Sequence, residues 1–167
     1  DDSGDWLGAP FFVTEWLPGT ADTRVLRKPT ADDQIRSVAL ELAGAAARLH
    51  NVDVAPFGHL TPTTAAGAAG SQLDHWDELF RRQRLEAHPA LVYAVRWLRQ
   101  QLPTARRVSV VHGDLRFGNI LYHEHRLTAL LDWEMTHLGD PVEDLGWVYR
   151  SLWSPAASLS FDEFLAA

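Results

Sequence analysis

The sequence contains no cysteine, one lysine (Lys28) and one methionine (Met135) in 167 residues. Without thiols it cannot build a disulfide framework, a cysteine-based zinc site or a thiolate nucleophile. Basic residues are also short, 15 against 22 acidic ones for a net charge of −7, which argues against the electropositive face of a nucleic-acid binder. Arg81, Arg82 and Arg84, with Arg96, Arg99, Arg106 and Arg107, come nearest to such a patch and read as solvated helix faces. No apolar run approaches the roughly 18 residues of a membrane span, and the opening residues do not read as a signal peptide. The expectation is a protein of a reducing, cytoplasmic compartment with neither nucleic acid nor membrane as partner. Oligomeric state stays open.

What is present is globular in character: 46% hydrophobic and 22% charged residues in a length that suits one domain. Phe11-Phe12-Val13-Thr14 is a short β-favouring run that ends at the turn signal Pro18-Gly19. From Gln34, apolar residues at Ile35, Val38, Leu42, Ala45, Ala46 and Leu49 predict a helix with one buried face, ending near His50-Asn51. Residues 53–70, rich in Pro, Gly, Ala and Thr, predict a loop. Two helices follow, about 71–87 and then on to Pro103, separated by His88-Pro89. Val108–Val111, Ile120–Tyr122 and Leu127–Leu131 predict strands, the last two forming a hairpin across residues 123–126. Asp140-Pro141-Val142-Glu143 and the capping box Ser160-Phe161-Asp162-Glu163 both open helices. With one strand lacking partners and a helix cut short, the chain reads as an internal piece of a larger protein.

Chemistry concentrates in His112-Gly113-Asp114-Leu115-Arg116-Phe117-Gly118-Asn119 and Leu131-Asp132-Trp133-Glu134. If residues 120–131 form a tight hairpin, Asn119 and Asp132 meet at its open end. An amide and a carboxylate oxygen there suit Mg²⁺, a hard cation that keeps waters and substrate phosphates in its other positions. An acidic protein that handles polyanionic phosphates needs such an intermediary. Asp114, one loop away, remains free for another role. His112 reads as a residue that packs and hydrogen-bonds the loop. His123 and His125 read as exposed turn residues, and His50, His59, His75, His88 and His137 have no partner at ligand spacing. Trp16, Trp76, Trp97, Trp133, Trp147 and Trp153 read as core or cleft walls; Asp74, Asp77 and Glu78 read as a solvated helix face or, alternatively, an acidic cleft for a cationic substrate.

The order H-x-D-x-x-x-x-N followed by a metal-binding Asp is that of a kinase catalytic loop. Gly113 stands where protein kinases place an arginine that answers a phosphorylated activation loop, so no such switch is expected. H-G-D-L-x-x-x-N, L-D-W-E and H-L-G-D-P-V-E-D-L-G-W together resemble the aminoglycoside phosphotransferase and choline kinase superfamily. The wording near Leu131–Trp147 is most similar to the phosphotransferase-like enzymes that occur alone or fused to acyl-CoA dehydrogenases. The resemblance implies an α+β fold: a mainly helical C-terminal lobe of a protein-kinase-like architecture with a small catalytic β-hairpin, the N-terminal lobe largely absent. Residues 1–19 would be the end of that lobe and the interlobe hinge, and residues 20–167 the C-terminal lobe, truncated at both ends. It implies ATP and Mg²⁺ as cofactors and a small-molecule hydroxyl compound as acceptor. Asp114 would be the catalytic base, Asn119 and Asp132 the Mg²⁺ ligands, and the backbones of Glu15 and Leu17 the adenine contacts. His112, Glu134 and Asp144 would support these groups, Asp144 by holding the catalytic-loop backbone. Lys28 follows the hinge and cannot be the family's phosphate-binding lysine, so the isolated chain is expected to be inactive. The alternatives are a non-catalytic kinase-fold protein that binds nucleotide or ligand, and a metal-dependent phosphohydrolase. The acceptor stays open among an aminoglycoside, a choline-like amine, a sugar and a hydroxyacyl compound.

Overall fold

The apolar stripe read from Ile35 onward forms the longest element of the computed structural model, which describes residues 1–26, 32–83, 86–149 and 159–167. Lys28, Arg84 and Trp153 lie outside those residues. After a single helical turn, α1 (Thr23–Leu26), helix α2 (Asp32–His50) buries Ile35, Val38, Ala39, Leu42, Ala43 and Ala46. These residues recur every three or four positions and therefore share one face. That face packs on Leu115, Phe117, Ile120, Tyr122, Val148, Leu159 and Phe164 to form the core. α3 (Ala68–Gln83) and α4 (Pro89–Arg99) follow, packed on each other, with a short 3-10 turn at Ala55–Phe57 inside the expected loop.

The second half is β-rich. β2 (Ile120–His123) and β3 (Arg126–Leu130) make the expected antiparallel hairpin, with a bulge between Leu121 and Tyr122. β1 (Ser109–Val111) pairs with β4 (His137–Gly139), a strand not foreseen from the residue pattern. Three residues are too few to set up a visible alternation of side chains. α5 (Val142–Val148) starts where expected, with Asp140 Oδ1 accepting from the Val142 N–H at 3.0 Å. α6 (Phe161–Ala166) carries the complete Ser160–Glu163 capping box and drives Phe164 into the core. Together these elements make an α+β fold. No helix among the described residues is long and apolar enough to cross a membrane.

Two expectations fail. Phe11–Thr14 is not a strand: residues 10–19 hold no regular structure, and Phe12 and Val13 are exposed. A strand needs a neighbour along its length to satisfy its backbone; here Phe11 bonds only back to Asp1 among the described residues, and the one bridge to the sheet is at Thr20, whose N–H and C=O both bond Tyr122 of β2 (2.8 and 3.1 Å). Nor are Trp16, Trp76, Trp97 and Trp133 core, since all four are exposed. Trp76 and Trp147 do face a common groove between α3, α4 and α5.

Candidate active site

β1 is buried along its whole length and delivers the chain into His112-Gly113-Asp114. Gly113 has φ +83°, and a Cβ there would collide with the Met135 carbonyl oxygen and come within 2.9 Å of the Met135 Cβ. The backbone of the loop after β3 thus lies directly against the catalytic-loop candidate, and only glycine fits between them. This is a local steric reason for glycine at that position.

Asp114 is partly buried. Its carboxylate pairs with Arg116 Nε (3.0 and 3.1 Å) and accepts from Asn119 Nδ2 at 2.6 Å. Asn119, buried at the end of a 3-10 turn (Phe117–Asn119), also donates Nδ2 to the Asp114 carbonyl at 3.0 Å. Both amide hydrogens are thereby used on Asp114, and among the described residues no hydrogen bond reaches the amide oxygen, an acceptor. Across the hairpin mouth, the Leu131 N–H bonds the Asn119 carbonyl at 2.8 Å. Asp132 follows at once, exposed and in the left-handed conformation (φ 68°, ψ 62°). A free amide oxygen and an exposed carboxylate are an all-oxygen set of the kind Mg²⁺ takes. Among the described residues, no three His, Cys, Asp or Glu side chains are grouped to hold a metal by themselves. A cation here would complete its shell from water and ligand oxygens.

The supporting residues sit behind this loop. His112 is buried; its Nε2–H donates to the Leu131 carbonyl at 2.9 Å and its Nδ1 accepts from the Asp114 N–H at 3.3 Å. Its ring lies 4.7 Å from that of Trp133. Asp144, fully buried on α5, accepts from the His112 N–H through Oδ2 and from the Gly113 N–H through Oδ1, both at 3.0 Å. Glu134 is exposed, two residues past Asp132. Glu15 and Leu17 lie on the irregular segment before the Thr20–Tyr122 bridge; among the described residues no hydrogen bond or ion pair joins either to Asp114, Asn119 or Asp132.

Two histidines set aside in the sequence do have a carboxylate within hydrogen-bond distance. His50 Nε2 lies 2.8 Å from Asp144 Oδ2 in the interior. Its position four residues after Ala46 puts it on the buried stripe of α2, the one signal that could have singled it out. His137 donates from Nδ1 to the Met135 carbonyl (2.9 Å) and from Nε2 to Glu143 (3.1 Å). Burial opposes a charge on that ring, but Glu143, the Met135 carbonyl and the nearby Asp144 outweigh it, so the His137 pKa is raised. The acidic face of α3 is not an open cleft. Asp77 is buried between Arg81 (2.9 Å) and Arg99 (3.0 Å), and the Arg81 hydrogen bond leads in holding its pKa down. Asp74 pairs with Arg99 and Glu78 with Arg82.

The model of the phosphotransferase enzyme family (APH) matches residues 1–167, the whole sequence. The chain belongs to that family. Among this phosphotransferase-family chain's curated relatives, mouse acyl-CoA dehydrogenase family member 10 is 26% identical over 157 residues, 90% of this chain and 14% of that protein. Human acyl-CoA dehydrogenase family member 11 is 29% identical over 143 residues, 83% of this chain and 18% of that protein. Among solved structures, a candidate aminoglycoside phosphotransferase from Ralstonia eutropha matches with TM-score 0.63 and 25% identity, over 94% of this chain and 49% of its own. A macrolide 2'-phosphotransferase from Brachybacterium faecium matches with TM-score 0.58 and 25% identity, over 80% and 44%. The family chain thus spans less than a fifth of those dehydrogenase-family proteins and about half of the solved phosphotransferases.

Proposed function

We propose that this chain is the larger, C-terminal lobe of an ATP-dependent small-molecule phosphotransferase, residues 20–167, preceded by residues 1–19 as the end of the N-terminal lobe and the interlobe hinge. The carrying observation is the shared loop end at which Asn119 Nδ2 bonds both the carboxylate and the carbonyl of Asp114, with Asp132 across the hairpin mouth. Membership of the phosphotransferase family and the likeness to solved phosphotransferases support the same reading.

In this reading Asp114 accepts the proton of the acceptor hydroxyl as its oxygen bonds to the γ-phosphorus and the bond to the departing ADP oxygen breaks. Asn119 holds the Asp114 carboxylate in place through Nδ2 and, with the Asp132 carboxylate, supplies oxygens for Mg²⁺. When bound there, Mg²⁺ offsets the negative charge of the phosphates. Arg116 pairs with Asp114, and Glu134, two residues past Asp132, would lie near a cation held there. Asp144 and His112 fix the loop backbone from behind. The backbones of Glu15 and Leu17 receive the adenine.

The test is Asp114→Ala in the full-length gene product, scored by ADP release with an acceptor that the wild type phosphorylates. A positioned general base is worth about 10²–10⁴ in rate, so kcat falls by that factor while nucleotide affinity holds. Turnover near wild type overturns the mechanism. Nucleotide binding that is indifferent to Mg²⁺, with no product, favours a non-catalytic binding protein instead.

A further inference from the structure

Burial alternates along the loop after β1. Leu115 and Phe117 are fully buried and Asn119 nearly so, whereas Asp114, Arg116 and Gly118 between them are partly open to solvent. Arg116 has extended backbone (φ −145°, ψ 162°), in which successive side chains point to opposite sides. Asp114, Arg116 and Gly118 therefore share the side that faces away from the core.

Two groups hold the Asp114 carboxylate. Arg116 Nε shares its hydrogen between Oδ1 and Oδ2 (3.1 and 3.0 Å), and Asn119 Nδ2 donates to Oδ2 at 2.6 Å. A carboxylate offers about two acceptor sites on each oxygen. Both sites of Oδ2 are thus taken, and one remains on Oδ1. The torsion that turns a carboxylate about its Cβ–Cγ bond is soft. Without Arg116 the group pivots on the Asn119 contact, and the remaining site loses its direction.

Gly118 seats the guanidinium. A Cβ at that position would collide with Arg116 Nη1 and sit 3.4 Å from its Cζ. Gly118 lies in the 3-10 turn Phe117–Asn119, which the Asn119 N–H closes onto the Arg116 carbonyl at 2.9 Å. It is not one of the glycines with positive φ, so its backbone tolerates alanine. The close approach of Arg116, rather than the turn, is what calls for glycine.

We propose that Arg116 is a positioning residue for phosphotransfer: seated on Gly118, it turns the Asp114 carboxylate so that Oδ1 faces the incoming hydroxyl. As the acceptor oxygen bonds to the γ-phosphorus and the bond to the ADP oxygen breaks, the hydroxyl proton passes to Oδ1. The inference rests on the phosphotransfer reading and adds to it the proton-accepting atom and the two residues that aim it.

The experiment uses the full-length gene product and Mg·ATP. ADP release is followed with water as acceptor and with an acceptor that the wild type phosphorylates. Arg116→Gln should lower kcat by about 10–100-fold, the scale of a misplaced reacting group, while KM for Mg·ATP stays within about twofold. In an Asp114→Ala background the same substitution should cost less than about twofold, because no carboxylate is left to aim. Gly118→Ala displaces the guanidinium without removing its charge, so kcat should fall by about fivefold or more while Tm is kept or raised. Wild-type turnover in Arg116→Gln or in Gly118→Ala overturns the inference and leaves the phosphotransfer reading standing. A fall in Tm that accounts for the lost kcat in both variants does the same. So does a further loss of about tenfold in the Asp114→Ala background, since Arg116 would then act independently of the carboxylate. Turnover near wild type in Asp114→Ala, or no ADP release from the wild type, overturns both.

Discussion

His50 and Asp144 stand 94 positions apart in sequence, yet the histidine Nε2 is 2.8 Å from the aspartate Oδ2 in the interior. The same carboxylate takes the backbone N–H groups of His112 and Gly113. It thereby ties the end of α2, the start of α5 and the residues just before Asp114 to one buried carboxylate. Removing Asp144 strands three buried donors, each costing about 1–3 kcal/mol. Asp144→Ala should therefore destabilise by roughly 3 kcal/mol or more in urea unfolding. His50→Ala should cost less, because the two backbone donors still neutralise part of the carboxylate. The double variant should fall short of additivity by about 0.5–3 kcal/mol. Additive losses would mean that the contact carries no stability of its own.

Gly113 offers a sharper steric test. With φ +83° and the Met135 carbonyl where a Cβ would sit, Gly113→Ala combines backbone strain with a collision. Strain of this kind costs on the order of 1–3 kcal/mol. Thermal unfolding should show a clear drop in Tm, and the full-length protein should lose turnover as the Asp114 backbone is displaced. Gly146 sits in α5 with no atom within 4 Å of a would-be Cβ, so Gly146→Ala should keep or raise the Tm.

His137 predicts a pH dependence on the basic side. Its folded pKa is raised above the usual 6.5, so the stabilisation by its proton is complete below the unfolded value and disappears as pH climbs through the folded one. The stability advantage of wild type over His137→Gln should shrink as pH rises from about 6.5 upward. NMR titration of the ring should give a midpoint above 6.5. A midpoint at or below that value contradicts the pairing with Glu143.

Glu163 predicts the opposite limb. The Arg36 hydrogen bond, followed by the Ser160 backbone and hydroxyl, lowers its pKa to about 2 from an ordinary 4.5. Its contribution is therefore present above about 4.5 and lost as pH falls toward about 2. Wild type should exceed Glu163→Gln in Tm at neutral pH, and the gap should close across that acidic window. A gap that stays constant would show that the capping geometry matters and the charge does not.

The features legible in the sequence are those that act within a few residues. The stripe from Ile35 to Ala46 names the buried face of α2 because the helical repeat brings those residues to one side. The β2–β3 hairpin and the Ser160–Glu163 cap are likewise local, and both formed as read. The order of Asp114, Asn119 and Asp132 was visible for the same reason: each lies at the end of a short element with its own signal. Phe11–Thr14 failed as a strand because local preference cannot supply a pairing partner. Partnership across the chain was decided only in three dimensions. Packing of α2 on the β-rich half brings His50 to Asp144, and the β1–β4 pairing carries Met135 against Gly113 and sets His137 beside Glu143. No spacing rule links such residues, since their contact depends on how the whole chain closes on its core.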